Sequence, residues 1–232
     1  MFKVTKYGLK IIVIATFLAI IWCVAPLVFL RGVLPWWALV IIVVPDLLLY
    51  FWVLWFFRDP ERDTPQDPGL FISPADGRIA DITNIGPESE LGRDGVRIGI
   101  FMNVFNVHLS RSPIDAIVES VEHRPGLFLD VRDPHASERN ESTTIRLKYQ
   151  HQGQEFPVVV RQIAGLVARR IVTDLTEGQA ITRGQRIGMI RFGSRLELLA
   201  PVELISKICV EIGQISHGAE TVLIESIQGE SK

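Results

Sequence analysis

The sequence predicts a mainly β domain, sandwich-like or barrel-like, behind an N-terminal transmembrane helical hairpin. Three observations carry that prediction. Two long apolar stretches fill residues 1–57, short β-rich runs follow between Gly, Pro, Asp and Asn, and nothing from 66 to 232 sustains a 3.6-residue period.

The first stretch, Leu9 to Leu30, is apolar after Lys10 and long enough for about 33 Å of helix. Arg31-Gly32-Val33-Leu34-Pro35 breaks it, and Trp36 to Phe57 follows with Asp46 as its one charge. A cleaved signal peptide would end in small residues, but no A-x-A site follows the run and bulky Ile21 and Trp22 precede Cys23. Helices over about 9–30 and 36–57 are therefore expected to span a membrane. Lys3, Lys6 and Lys10 precede the hairpin, Arg58 and Arg62 follow it, and Arg31 alone lies in the connection. The positive-inside bias puts both ends, and the domain beyond, on the cytoplasmic side of the cell (inner) membrane. Asp46 is costly in lipid and is expected near an interface or against the partner helix.

Residues 58–72, with Pro60, Pro65 and Pro68, read as a charged linker, and 73–232 as the β domain. Strands are expected at Val96–Phe101, Thr143–Tyr149, Phe156–Val160, Leu166–Ile171, Ala180–Ile190, Leu196–Leu199 and Thr221–Ile227. Val202–Gly213 fits a short helix or a further strand. Thr176-Glu177-Gly178-Gln179 and Thr182-Arg183-Gly184-Gln185 echo each other as two turns about a strand, in the rhythm of lipoyl-like domains.

Composition narrows the function. With 24 Lys and Arg against 26 Asp and Glu, scattered along the chain, no nucleic-acid partner is expected. Cys23 and Cys209 lie far apart in apolar surroundings, which argues against a disulfide or metal framework. His123, His135, His151 and His217 sit in polar stretches and are given no role.

Three segments hold groups that could do chemistry. Ser73-Pro74-Ala75-Asp76-Gly77 is a turn with a carboxylate, Phe101 to His108 an apolar strand ending in an imidazole, and Phe192-Gly193-Ser194-Arg195 an interruption in an apolar run. Asp, His and Ser are the parts of a nucleophile, base and orienting carboxylate, although spacing alone does not bring them together. The serine is not in a G-x-S-x-G elbow. Arg161 to Arg170 reads as an alternating strand rich in polar residues.

In order along the chain, "FFRDPER", "SPADGRI", "FMNVFNVHLSRSPID", "RQIAGLVARRI" and "GQRIGMIRFGSR" resemble the short bacterial and archaeal type of the phosphatidylserine decarboxylase family. The likeness spans about Phe56 to Pro201. It implies a proenzyme that cuts itself at Gly193–Ser194 by autocatalytic serinolysis, giving a β chain of residues 1–193 and an α chain of 194–232 that form a heterodimer. Ser194 would become a covalent pyruvoyl group that forms a Schiff base with membrane phosphatidylserine and accepts the electrons left as CO2 departs, yielding phosphatidylethanolamine with no metal. His108 would take the Ser194 proton and Asp76 would orient the imidazole. Arg191 and Arg195 are candidate ligands for the substrate phosphate or carboxylate. A higher oligomer is left open.

The sequence departs from the longer branch at Phe105, where that branch has a second His, so the proton donor after decarboxylation is unassigned. Arg195 stands where that branch has Thr, and Ala116 where Gly is common. Two alternatives compete: a membrane-tethered lipoyl-like carrier, and a serine hydrolase using the same three residues without self-cleavage. A carrier needs a modifiable Lys at a hairpin tip, and none occurs between Lys148 and Lys207.

Overall fold

The structure, a computed structural model, describes residues 3–133, 135–166, 170–191 and 193–227. It divides into two units, Met1–Pro60 and Glu61–Lys232.

In the first unit a 3-10 turn, Lys6–Gly8, leads into α1 (Leu9–Phe29), and α2 (Trp36–Phe56) runs back beside it. Both helices are long and apolar enough to cross a bilayer. Phe17, Trp22, Phe29, Ile41 and Leu48 point outward and stay exposed, an apolar surface suited to lipid. Polar groups face inward between the helices. The Thr16 hydroxyl gives its proton to Ile12 O at 2.8 Å, so Tyr50 OH is the donor across the pair at 3.1 Å. One further pair lies nearer the connection: Cys23 Sγ donates to Asp46 Oδ2 at 3.5 Å, and Asp46 therefore faces its partner helix.

The second unit is mainly β. Its strands are β1 (Leu70–Ile72), β2 (Gly77–Ile85), β3 (Gly95–Met102), β4 (Leu109–Arg111), β5 (Ala116–Arg124), β6 (Ser142–His151) and β7 (Gln154–Ile163). The series continues with β8 (Ile171–Val172), β9 (Ala180–Ile181), β10 (Arg186–Ile190), β11 (Ser194–Pro201), β12 (Ile205–Ile208), β13 (Ile215–Ser216) and β14 (Val222–Ser226). One helical turn, α3 (Ala136–Arg139), interrupts them. Eight strands form the largest sheet in the order β13-β2-β3-β11-β7-β6-β5-β9, curled into a half-barrel; β1-β14-β12 and β4-β10-β8 form two smaller sheets. Adjacent strands run antiparallel throughout. The β6–β7 hairpin turns on Gln152 and Gly153, both at positive φ (50° and 77°), the two-residue geometry whose twist matches that of antiparallel strands.

Alternation decides which side of the large sheet is dry. Ile98, Ile100, Ile145, Leu147, Val158, Val160, Leu196 and Leu198 enter one core, closed by Phe71, Ile187, Ile190, Leu223 and Ile224 from the smaller sheets. β11 lies in the middle of the large sheet, with Leu196 to Leu199 paired to both β3 and β7.

The expected strands are present with several differences. The strand expected over Phe101–His108 ends at Met102, where the chain turns from Asn103 to Asn106, and the one expected over Arg161–Arg170 ends at Ile163. Ala180–Ile190 is two strands, split by the turn at Thr182–Gln185. The run expected at Leu166–Ile171 is not a continuous strand: Leu166 lies in a bend, 167–169 fall outside the described residues, and only Ile171 joins β8. Ser194 does not interrupt a strand but begins one, because Gly193 ahead of it turns the backbone to φ +60°. Val202–Gly213 resolves into a 3-10 turn, Val202–Leu204, and β12.

Candidate active site

Three strands set the stage. β3 ends at Met102, β7 ends at Ile163 and β11 starts at Ser194, all at one end of adjacent strands. The connections leaving that end carry Asn106 and His108, Ala164 and Gly165, and Arg191 and Gly193.

His108 is fully buried, and its two ring nitrogens are distinguishable. Nδ1 lies 3.0 Å from Asn106 O, and since a carbonyl only accepts, that nitrogen carries the proton of the neutral ring. Nε2 is then the lone-pair nitrogen, and it accepts the Gly193 N–H at 3.3 Å. The imidazole is thus fixed in one tautomer with its basic nitrogen against the Gly193–Ser194 segment.

Ser194 is also fully buried, and its hydroxyl is turned to Met102 Sδ at 4.0 Å. A Cβ on Gly193 would meet nothing within 4 Å, so Gly is required there by conformation and not by space. The Gly193 carbonyl, by contrast, lies against the Gly165 Cα.

Asp76 belongs to the turn before β2. That turn is tied to the strand after His108: Arg111 N–H donates to Pro74 O at 2.8 Å, and Ile72 N–H to Pro113 O at 3.0 Å. The carboxylate is gripped by Arg62 Nη2 through both oxygens, at 2.9 and 2.7 Å, and by Gly218 N–H at 2.8 Å. Arg62 also reaches Glu220 at 3.0 Å. Arg62 ends the FFRDPER motif, but the motif alone assigns it no role at the site.

The two candidate arginines differ sharply. Arg195 is buried and engaged: its Nη1 lies 2.6 Å from Asp81 Oδ2 and its Nε donates to Glu197 Oε1 at 2.8 Å. Its guanidinium lies over Gly99, where any side chain would collide with it. Burial pulls its pKa down, but the hydrogen bond it donates to Asp81 and the charge of Glu197 outweigh that and raise it. Glu197, completely buried, is shared with Arg161 at 3.5 Å and accepts from Ser137 Oγ at 2.9 Å. Asp81, Ser137, Arg161 and Arg195 line a cavity of about 770 Å³ on the face of the sheet away from the core. An Arg and a Glu two apart on a strand, with Arg161 on the next strand, is the pattern that marks this cluster in the sequence.

Arg191 is only half buried. Its backbone N–H donates to Arg170 O at 3.2 Å, and burial together with the Arg170 charge lowers its pKa. Two cations drawn together beside Gly193 form a place where an anion would be stabilised. Among the described residues no three His, Cys, Asp or Glu side chains converge as a metal-ligand set.

Comparison with known proteins agrees with this architecture. The model of the phosphatidylserine decarboxylase family matches residues 49–224. A relative in Azorhizobium caulinodans named phosphatidylserine decarboxylase proenzyme is 45% identical over 180 residues, covering 76% of this chain and 75% of its own. A protein of the same name in Paramagnetospirillum magneticum is 44% identical over 187 residues, covering 78% and 76%. The chain belongs to the phosphatidylserine decarboxylase family.

Proposed function

We propose that this chain decarboxylates phosphatidylserine to phosphatidylethanolamine, and that it first cuts itself between Gly193 and Ser194. The observation that carries the proposal is the pairing of His108 Nε2 with the Gly193 N–H, beside a serine that heads a buried strand. Rotation about the Ser194 Cα–Cβ bond turns Oγ from Met102 toward the Gly193 carbonyl carbon. His108 accepts the hydroxyl proton as the C–O bond forms; the C–N bond then breaks and the proton passes to the Ser194 nitrogen. Loss of the ester by β-elimination and hydrolysis of the resulting enamine leaves a pyruvoyl group at residue 194. Asp76, held in place by Arg62, supplies the negative charge that offsets a protonated His108.

The residues present fit such a group. The position begins a strand with a neighbour on each side, so a carbonyl formed there is held in the sheet. When formed, it supplies an electron sink for the pair released as CO2 leaves. Arg191 and Arg170 bind the anionic headgroup in this scheme, while Arg195 fixes the strand that carries residue 194. The flanking lysines and arginines of α1 and α2 support a domain on the cytoplasmic side, and the two pieces of the cut chain form a heterodimer.

Denaturing electrophoresis with mass spectrometry tests this directly. Active protein should give fragments 1–193 and 194–232, the smaller one blocked at its N-terminus, and Ser194→Ala should remain uncut and inactive. Full activity in a chain that stays whole would sink the proposal.

A further inference from the structure

We infer that Gly165 is a positioning residue for self-cleavage, a role that rests on the cut at Gly193–Ser194 proposed above. Its Cα lies against the Gly193 carbonyl oxygen, the atom that becomes an oxyanion when Ser194 attacks. A Cβ at position 165 would fall far inside van der Waals contact with that oxygen, and its next neighbour would be Val131 Cγ1 at 3.1 Å. Neither a flexible side chain nor open space is available to absorb the overlap. The carbonyl itself would have to move.

The segment carrying Gly165 is held from the other side. Ala164 N–H donates to Glu141 O at 2.9 Å, and the fully buried Asn140 donates through Nδ2 to Ala164 O at 2.8 Å and to Leu129 O at 2.9 Å. Asn140 Oδ1 accepts from Leu129 N–H at 2.9 Å, so one amide clamps both the 164–165 segment and the 129–131 segment. Gly165 is therefore a fixed wall against which the carbonyl rests. It differs from Gly193, whose requirement is conformational. Together they set the two variables of the attack: Gly193 sets the backbone twist, and Gly165 the direction of the carbonyl.

The step affected is defined by its bonds. Ser194 Oγ bonds to the Gly193 carbon, that carbon becomes tetrahedral with its oxygen facing Gly165, and the Gly193–Ser194 C–N bond breaks with the hydroxyl proton moving to nitrogen. A shift of about 1 Å in the carbonyl costs on the order of a hundredfold in such a step. Once the chain is cut, the Gly193 carbonyl is part of a free carboxylate and the constraint has no further work.

The experiment follows cleavage of full-length Gly165→Ala on denaturing gels, with Gly95→Ala as a control. A Cβ at Gly95 would crowd the backbone carbonyl of Ala200, where β3 starts and β11 ends, far from the cut. Thermal melting reports folding, and hydroxylamine, which splits an accumulated ester, reports whether the acyl shift has occurred. Gly165→Ala should melt cooperatively, cut at least about a hundredfold more slowly than the parent, and resist hydroxylamine, while Gly95→Ala cuts normally. If Gly165→Ala fails to melt cooperatively, Gly165→Ala/Val131→Ala, which opens room behind the new methyl, takes its place and should regain cutting. Normal cutting of folded Gly165→Ala, or a hydroxylamine-sensitive ester in it, overturns the inference, as does a double variant that refolds but stays uncut. An uncut parent chain instead overturns the cleavage reading itself.

Discussion

The Gly193 N–H points at Nε2 of His108 across 3.3 Å, while Asn106 O holds the proton of Nδ1 at 3.0 Å. A carbonyl two residues earlier on the chain thus does the tautomer-setting work commonly given to a carboxylate. Replacing His108 with Gln keeps a polar side chain but removes the base. Cleavage should slow by at least about a hundredfold with little change in melting temperature, as read from gel time courses and a thermal melt.

Arg62 should matter more than its place in a linker implies. Arg62→Ala strips the bidentate partner from Asp76 and leaves the Gly218 N–H. The expected result is a loss of roughly ten- to a hundredfold in cleavage rate, with Arg62→Lys restoring part of it. Equal rates in the alanine and lysine variants would show that the cation is not what Asp76 needs.

Arg195 and Arg191 should separate cleanly. Arg195→Met leaves Glu197 buried with a partner missing, which costs about 3–5 kcal/mol. That corresponds to a fall of roughly 6–20 °C in melting temperature at about 2–4 °C per kcal/mol. Arg191→Gln should instead melt near the parent, cut normally and raise KM for phosphatidylserine. A reversed pattern, with stability lost at 191 and KM at 195, would exchange their roles.

Cys209 offers a test by pH. Burial first, then the nearby Glu225, raises its pKa above that of an ordinary thiol. Less thiolate is present at a given pH, so iodoacetamide should label Cys209 more slowly than a free cysteine at neutral pH. The gap should close once pH passes the raised value, because both thiols are then ionised. In stability terms the sign is the same: the unfolded thiol ionises first, so any contribution from Cys209 is present at neutral pH and lost as pH rises. Peptide mass spectrometry of the labelled site measures it, and equal neutral rates would refute the burial effect.

Much of the fold was legible because strands announce themselves through alternation and turn residues. Val96 to Phe101, Thr143 to Tyr149 and Leu196 to Leu199 all lie inside observed strands. The failure at Leu166–Ile171 has a physical cause. Ile163, Leu166 and Ile171 keep the apolar texture going, but Ala164 is claimed by Asn140 and Glu141, and Gly165 must pass beneath Gly193. Those partners lie more than twenty residues away, where no local window reaches. Glu197 was hidden for a similar reason. It is on the side of β11 away from the core and should meet water, but Ser137 covers it from a distant segment. At the candidate site, Ser194, His108 and Asp76 were named from residue type and resemblance. The pairing of Arg62 with Asp76 and the role of the Asn106 carbonyl were not legible, because a motif does not say which carboxylate its arginine meets and a backbone oxygen leaves no residue pattern.

The position of β11 has a consequence for what a cut molecule is. A break before Ser194 leaves β11, flanked by β3 and β7, as a strand donated by one fragment into the middle of a sheet built by the other. β13 and β14 belong to the same short fragment and pair with β2 and β1. Separating the fragments therefore means dismantling the core, so dissociation and denaturation become one event. The uncut chain refolds as a unimolecular object, whereas the cut one must find its missing strand by collision. Its melting temperature should accordingly rise with protein concentration, a dependence acquired at the moment of cleavage.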